Sequence, residues 1–322
     1  MIRRMAGQLP AWARPEHPVL RYELGKSKRL STRARLLRLA AMAIGVILLG
    51  VAGYLIATGL LTHPPGQSVT ESIHAVMFWP LLAVQFLTGI AALTLTASTV
   101  ADEIQRRNWD NLRSTALGAE LALHARWAAT FYRLRYLLGA ILLLRLVLVG
   151  GILYDLTAFQ GRYLDLLMNG IAPELPLVAG VLLLSLLMTG ALIAPVTAVG
   201  FDGALGLLLS VVVRQRTYSI LLQVLATFIR LAITAGLLHA MTQFMRGALA
   251  IDGAASWLLA AGYGGLADWG LAFLDLGVYG ELWVMVPFGI MLGLALLLFA
   301  LFQAFLADQM IALAVRYSER HG

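Results

Sequence analysis

Apolar residues in this chain come in long unbroken runs. Six of them, at about 37–61, 75–100, 136–154, 175–199, 218–240 and 282–306, match the roughly 20 apolar residues an α-helix needs to cross a bilayer. No segment has the ten-residue alternation of an outer-membrane barrel strand, so the pattern predicts an all-α polytopic membrane protein. Residues 1–36 read as a cytoplasmic or interfacial N-terminal segment and residues 37–322 as a single transmembrane domain. In the fourth run apolar character continues from Leu175 to Val213, past Pro195, Gly200, Asp202, Gly203 and Gly206. That predicts a kinked helix that continues beyond the membrane. No repeat of fixed period is visible.

Composition agrees with the runs. Of 322 residues, 60% are hydrophobic and 13% charged, with mean hydropathy +0.82, more apolar surface than a water-soluble domain can cover. Cysteine is absent, which excludes disulfides and thiolate metal sites. The stretch MIRRMAGQLPAWARPEHP has no apolar core before a small-residue cleavage site, so the first span is expected to act as its own insertion signal. The net charge of +7 matters less than its placement. All but four of the 24 Lys and Arg fall before or at the very start of the first run, between the second and third, after the fourth, or after the last. Only Arg162 and Arg246 lie in the opposite loops, and Arg145 and Arg230 lie within spans. The positive-inside bias therefore predicts both termini and the 101–135 segment on the cytoplasmic side. It gives no reason to expect nucleic acid.

Among the outer loops, Met241–Glu281 stands apart: long, half apolar, cut by Gly253, Gly262, Gly264 and Gly265. It reads as a re-entrant or interfacial helix pair before the last span, with Trp257, Tyr263, Trp269 and Tyr279 suited to the headgroup level. At the other side, HPVLRYELGKSKRLSTRARLLRL sets Val19, Leu20, Leu24 and Leu30 among dense cationic residues. That predicts an amphipathic helix in the inner-leaflet interface, drawn to anionic lipid.

The stretch ADEIQRRNWDNLRSTALGAELALHARW, from Ala101, is a charged island that keeps Ile104, Trp109, Leu112, Leu117 and Leu121 at helical spacings. A first helix over 102–113 would put Trp109 and Leu112 on one side, with Arg106, Arg107 and Asp110 offering charge. Ser114 and Thr115 would break it, and a second helix would begin near Gly118 with Glu120 in its first turn. The result is a helix-turn-helix elbow at the cytoplasmic face. A solvated linker is the alternative. There is no phosphate-binding loop, no His-Glu-x-x-His and no EF-hand pattern. The six histidines are scattered, so no metal, cofactor or catalytic residue is expected; His239, near a span end, could ligate a haem but reads better as an interfacial polar residue.

The HPVLRYEL opening resembles the N-terminal motif of ABC-2 type transporter permeases. The island resembles their cytoplasmic loop, with Glu103, Asp110, Leu112, Thr115, Leu117 and Arg126 matching in order and spacing, and GALGLLLSVVVRQRT after the fourth run is similar to a third family stretch. Asn108 and Trp109 stand where the family has Gly-Thr, Ala116 where it has Pro, Gly118 where it has Ser, and the following Glu comes one residue early at Glu120. The resemblance implies a permease subunit of the bacterial inner membrane with no ATPase site of its own. It would pair with a second permease and export a substrate when a separate ABC ATP-binding subunit hydrolyses ATP. It further implies that Glu103, Trp109, Asp110, Leu112, Arg113, Thr115 and Leu117 form the ATPase-coupling surface.

Within the spans, Arg145, Asp202 and Arg230 are candidates for a pathway. A mid-membrane cation costs about 2.5–3.5 kcal/mol on insertion scales, so each arginine should face protein, water or phosphate. They could line a path for an anionic substrate, with an arginine pairing with Asp202, or make structural hydrogen bonds. Gln85, Gln223 and Gln303 are expected to join helices. The rival functions are a non-transporting accessory or scaffold subunit, an ion-driven secondary transporter for which Asp202 would be the single mid-membrane acid, and last a membrane enzyme.

Overall fold

The structure, a computed structural model, describes residues 10–25, 69–97, 118–158, 177–213 and 215–321. The first expected span, 37–61, and the island from Ala101 to Leu117 lie outside the described residues. Among those described there is no strand, and five helices are long and apolar enough to cross a membrane. The helices are α1 (Pro18–Gly25), α2 (Val69–Thr96), α3 (Gly118–Ala158), α4 (Leu177–Val212), α5 (Arg216–Met245), α6 (Ala254–Gly262), α7 (Leu276–Met285) and α8 (Leu292–His321).

α3, α4 and α8 outrun the membrane. At 1.5 Å per residue the 41 residues of α3 extend about 60 Å, twice a hydrocarbon core. α3 begins at Gly118 with Glu120 in its first turn, and Arg126, Arg133 and Arg135 lie on its N-terminal part. Pro195 lies inside α4, as Pro80 does inside α2, and neither ends its helix. α4 runs through to Val212, past the interruptions of its apolar run at Pro195, Gly200, Asp202, Gly203 and Gly206.

The tightest seam joins α4 to α8. A methyl group at Gly190 would come 2.9 Å from the amide nitrogen of Leu297, and one at Gly293 would come 2.8 Å from the carbonyl of Leu183. Two hydrogens in place of side chains let the backbones touch, the usual device where lipid supplies no hydrophobic drive between helices.

The last expected span needs correcting. The apolar run 282–306 does not form one helix. α7 ends at Met285, Val286 is extended (φ −111°, ψ 126°), Phe288 is left-handed (φ 55°), and the crossing helix starts at Leu292. Pro287 is the cause, because a residue before proline is driven out of the α region.

Between α5 and α8 the chain folds back onto the bundle. Ala260, Tyr263, Leu271, Phe273, Tyr279 and Leu282 join Met77, Leu81, Ile141, Leu144, Leu187 and Leu296 in the largest apolar core. The headgroup placement of the aromatics is therefore corrected as well: Tyr263, Trp269 and Tyr279 are 4, 3 and 1% exposed, surrounded by protein, and Trp257 is half-buried against the same core.

At the opposite end α1 packs across the N-terminal part of α3. Leu20 is fully buried against Ala125, Ala128 and Ala129, so the apolar face of this segment is spent on protein rather than on lipid. Arg126 donates to the Glu23 carboxylate at 3.2 Å, Arg133 donates to the Glu23 carbonyl at 2.9 Å, and the Tyr132 hydroxyl donates to the Ala13 carbonyl. Leu123, Leu207, Val211 and Ala314 form a small core at this same end. The basic N-terminal part of α3, the C-terminal end of α4, the basic C-terminal end of α8 and the segment 10–25 thus share one side of the bundle.

α5 differs from the rest. None of its membrane-length window is buried, and Leu221, Val224 and Phe228 are 63, 63 and 66% exposed. Among the described residues it is tied to the bundle by Ser219, which donates to the Ala97 carbonyl at 2.7 Å, by Arg230, which reaches Asp202, and by its C-terminal end, where Met241 and Phe244 enter the large core.

Candidate functional site

A cavity of about 300 Å³ lies between α2, α4 and α5, closed at one side by the turn that carries Trp269. Ile90, Leu93, Phe201, Leu205, Ile229 and Ile233 give it apolar walls. Its charge is a single pair: Arg230 of α5 donates through one guanidinium nitrogen to a carboxylate oxygen of Asp202 on α4. Of two candidates placed 28 residues apart, the fold makes one unit.

The pair fits because α2 has no side chain opposite it. A methyl group at Gly89 would lie 2.6 Å from the bonded nitrogen of Arg230 and 2.7 Å from the bonded oxygen of Asp202. The guanidinium carbon also sits 5.3 Å from the centre of the Trp269 ring, within the range of a cation–π contact.

Trp269 is held by its own turn. The Asp268 carboxylate accepts from the backbone nitrogens of Gly270 and Ala272 at 2.8 and 2.7 Å, which folds the chain so tightly that Trp269 itself takes a left-handed backbone (φ 57°) ahead of Gly270 (φ 76°). Its ring is then enclosed by Ala194, Ala198 and Ala300, small residues of α4 and α8 that leave room for an indole.

Arg145, the third candidate, does not line this cavity. It is 0% exposed, on the far side of the same turn. One nitrogen donates to the carbonyls of Ala191 and of Trp269 (2.7 Å); the other donates to the carbonyl of Asp268 (3.0 Å) and to the Gln85 side-chain oxygen (3.1 Å). Gln85 and Ala191 lie near the middles of α2 and α4, so Arg145 fixes the turn at mid-helix depth. Every acceptor is neutral. Arg145 satisfies four oxygens that burial would otherwise leave bare, which is a structural task.

Gln303 accepts from Thr197 at 3.1 Å, joining α8 to α4, and Gln85 joins α2 to α3 through Arg145; among the described residues Gln223 reaches Ser219 on its own helix and no other helix. His239 is exposed, and no group of three or more metal-ligating side chains occurs among the described residues. His74 is buried, its ring bonded to the Leu271 carbonyl at 2.9 Å and 3.3 Å from Asp275, which caps α7 through the amides of Gly277 and Val278.

Glu103, Trp109, Asp110, Leu112, Arg113, Thr115 and Leu117 all lie outside the described residues. Sequence reasoning missed Gly89 and the role of Trp269. An isolated glycine in an apolar run gives no local sign of what it faces. The Asp-Trp-Gly tripeptide at 268–270 did carry a signal, since aspartate two residues before glycine marks a side-chain-capped turn.

Comparison of the chain with family models, with curated proteins and with solved structures returned no match.

Proposed function

We propose that the chain is the membrane-spanning permease subunit of an ABC-type exporter, a protein of the bacterial inner membrane with both termini cytoplasmic. Its six spans would include residues 37–61, and the segment between α5 and α8 would be re-entrant. The observation that carries this reading is the cavity against α5, between helices long and apolar enough to cross a membrane, holding one ion pair in apolar walls. Transport proteins keep charge inside a bilayer where a substrate passes, and a wall helix bound at few points can move without dismantling the core.

Two further features support it. The basic ends of α3 and α8 and the segment 10–25 share one side of the bundle, as cytoplasmic ends would under the positive-inside rule. The island from Ala101 to Leu117 immediately precedes α3 in the chain, so a partner engaging Trp109, Leu112 and Leu117 would act on the longest helix among the described residues. That partner is a separate ATP-binding subunit, since the sequence has no phosphate loop, and two permeases would work together. The departures from the family loop at Asn108, Trp109 and Ala116 favour one alternative, an accessory subunit that no longer engages an ATPase.

Affinity-tagged chain extracted in mild detergent decides between them. Purified from its own cells, it should carry ATP hydrolysis with it, and Trp109→Ala with Leu112→Ala should abolish that activity while membrane insertion is unchanged. Hydrolysis that copurifies equally with the double variant removes the coupling role of the island; none with either chain leaves the accessory reading.

A further inference from the structure

We propose that the cavity between α2, α4 and α5 binds an amphipathic anion, a hydrocarbon chain or ring system bearing one carboxylate or phosphate group. This rests on the permease reading in treating the occupant as cargo, and names its chemical class. The volume, about 300 Å³, is at the lower end of the range for small-molecule pockets, enough for a compact ligand or one segment of a longer one. A small hydrophilic anion would lose its hydration against Ile90, Phe201, Leu205 and Ile233 with one charged side chain to replace it. A pure hydrocarbon would leave the charged wall unserved. Only a molecule with both characters matches both surfaces.

The sign of the headgroup follows from which member of the pair faces outward. Both side chains line the cavity, and that of Arg230 is 21% exposed against 8% for Asp202, so the arginine presents the larger free surface of the pair. A guanidinium has five N–H donors in a planar fork. Arg230 spends one nitrogen on Asp202, and no other acceptor for it occurs among the described residues. The remaining donors suit the paired oxygens of a carboxylate or phosphate. A cationic headgroup would meet the arginine first. The Trp269 ring beneath the guanidinium restricts its movement, so the fork is held before a ligand arrives. Among the described residues α5 is the wall whose membrane-length window is not buried, so on this reading a bilayer-dissolved amphiphile would reach the cavity past that helix.

The test uses the full chain in phosphatidylcholine nanodiscs without any ATPase. It is irradiated with a diazirine-bearing hexadecanoic acid, with its methyl ester, or with the matching primary amine. The acid should label peptides containing residues 201–205 or 229–233 at least tenfold more than the ester or amine, and dodecyl phosphate should compete where inorganic phosphate does not. The variant Arg230→Gln with Asp202→Asn, which removes both charges together, should lose at least tenfold of the acid labelling and keep the ester's. Gly89→Leu, which fills the space beside the pair, should reduce all three.

Equal labelling by acid, ester and amine would overturn the proposal, as would acid labelling undiminished in the double variant. Competition by inorganic phosphate as strong as by dodecyl phosphate would show a site for free anions instead and overturn it too. Should the double variant fail to insert, the acid-to-ester ratio on the unaltered chain decides. Selective acid labelling of a chain that associates with no ATPase would sink the permease reading and leave this site standing; indiscriminate labelling of a chain that does would do the reverse.

Discussion

Arg145 and Arg230 are both cations near the middle of apolar helices, and the molecule surrounds them in opposite ways. Arg145 is sealed by four neutral oxygens on two other helices and a turn, with no facing carboxylate bonded to it. Arg230 has one bonded partner, Asp202, a ring beneath it and a cavity beside it. Trp269 stands between them, giving its carbonyl to the first and its ring face to the second. The contrast shows that a charge inside a bilayer protein is not by itself a sign of function. Acceptors that occupy both terminal guanidinium nitrogens, leaving Nε buried and unpaired, mark a strut; one partner and donors beside a cavity mark a group that can still bind something.

The contrast is broken most forcefully at Arg145. Arg145→Met should cost about 3–5 kcal/mol, because the four oxygens are left buried without donors. Heating purified chain and following soluble monomer by gel filtration measures it; a variant as stable as the parent would refute the strut. Arg145→Lys should recover little, since an ammonium cannot span acceptors set out for a fork.

At the other arginine the effect is smaller and its sign can be reversed. Arg230→Gln should destabilise by about 2 kcal/mol through the stranded Asp202, and adding Asp202→Asn should restore most of that. The coupling is read from a double-mutant cycle of melting temperatures. Independent, additive losses would mean that the two side chains do not act as a pair.

The smallest expected change sharpens the comparison from outside. Phe228→Ala, on the bare face of α5, should alter stability by no more than about 0.5 kcal/mol in detergent. A larger loss that depends on protein concentration would place a second copy of the chain against that face.

Much of the frame is legible in the amino-acid sequence because a span is written by length and apolarity alone. α2, α3, α4 and α5 each coincide with most of the run that announces them, and the run of α4 stays helical to Val212 through Pro195 and Asp202. The last span escapes this reading because Leu282–Met285 and Leu292–Leu306 are equally apolar, and hydropathy does not register that Pro287 forces Val286 out of the helix. The site is half legible. Arg230 and Asp202 stand out as costly charges, and a pairing with Asp202 is foreseeable, but no local pattern shows that Gly89 opposes them. Arg145 is ambiguous for the same reason: its acceptors are mostly backbone carbonyls, which every residue possesses and no sequence advertises. Trp269 reads as an interfacial aromatic, since the alanines that make room for it lie on α4 and α8, far off in the chain.

The overhang of α3 has a mechanical meaning. From Gly118 to Arg145 it is an unbroken rod of about 40 Å, clamped along its free half by Glu23 and Ala13 and anchored at its far end in the turn under Trp269. If Arg145 is the fulcrum, a tilt of about 10° would sweep the Gly118 end through about 7 Å, whereas groups beside the fulcrum would hardly travel. Run backwards, the same gearing turns a long, weak push at the Gly118 end into a short, forceful displacement next to Trp269.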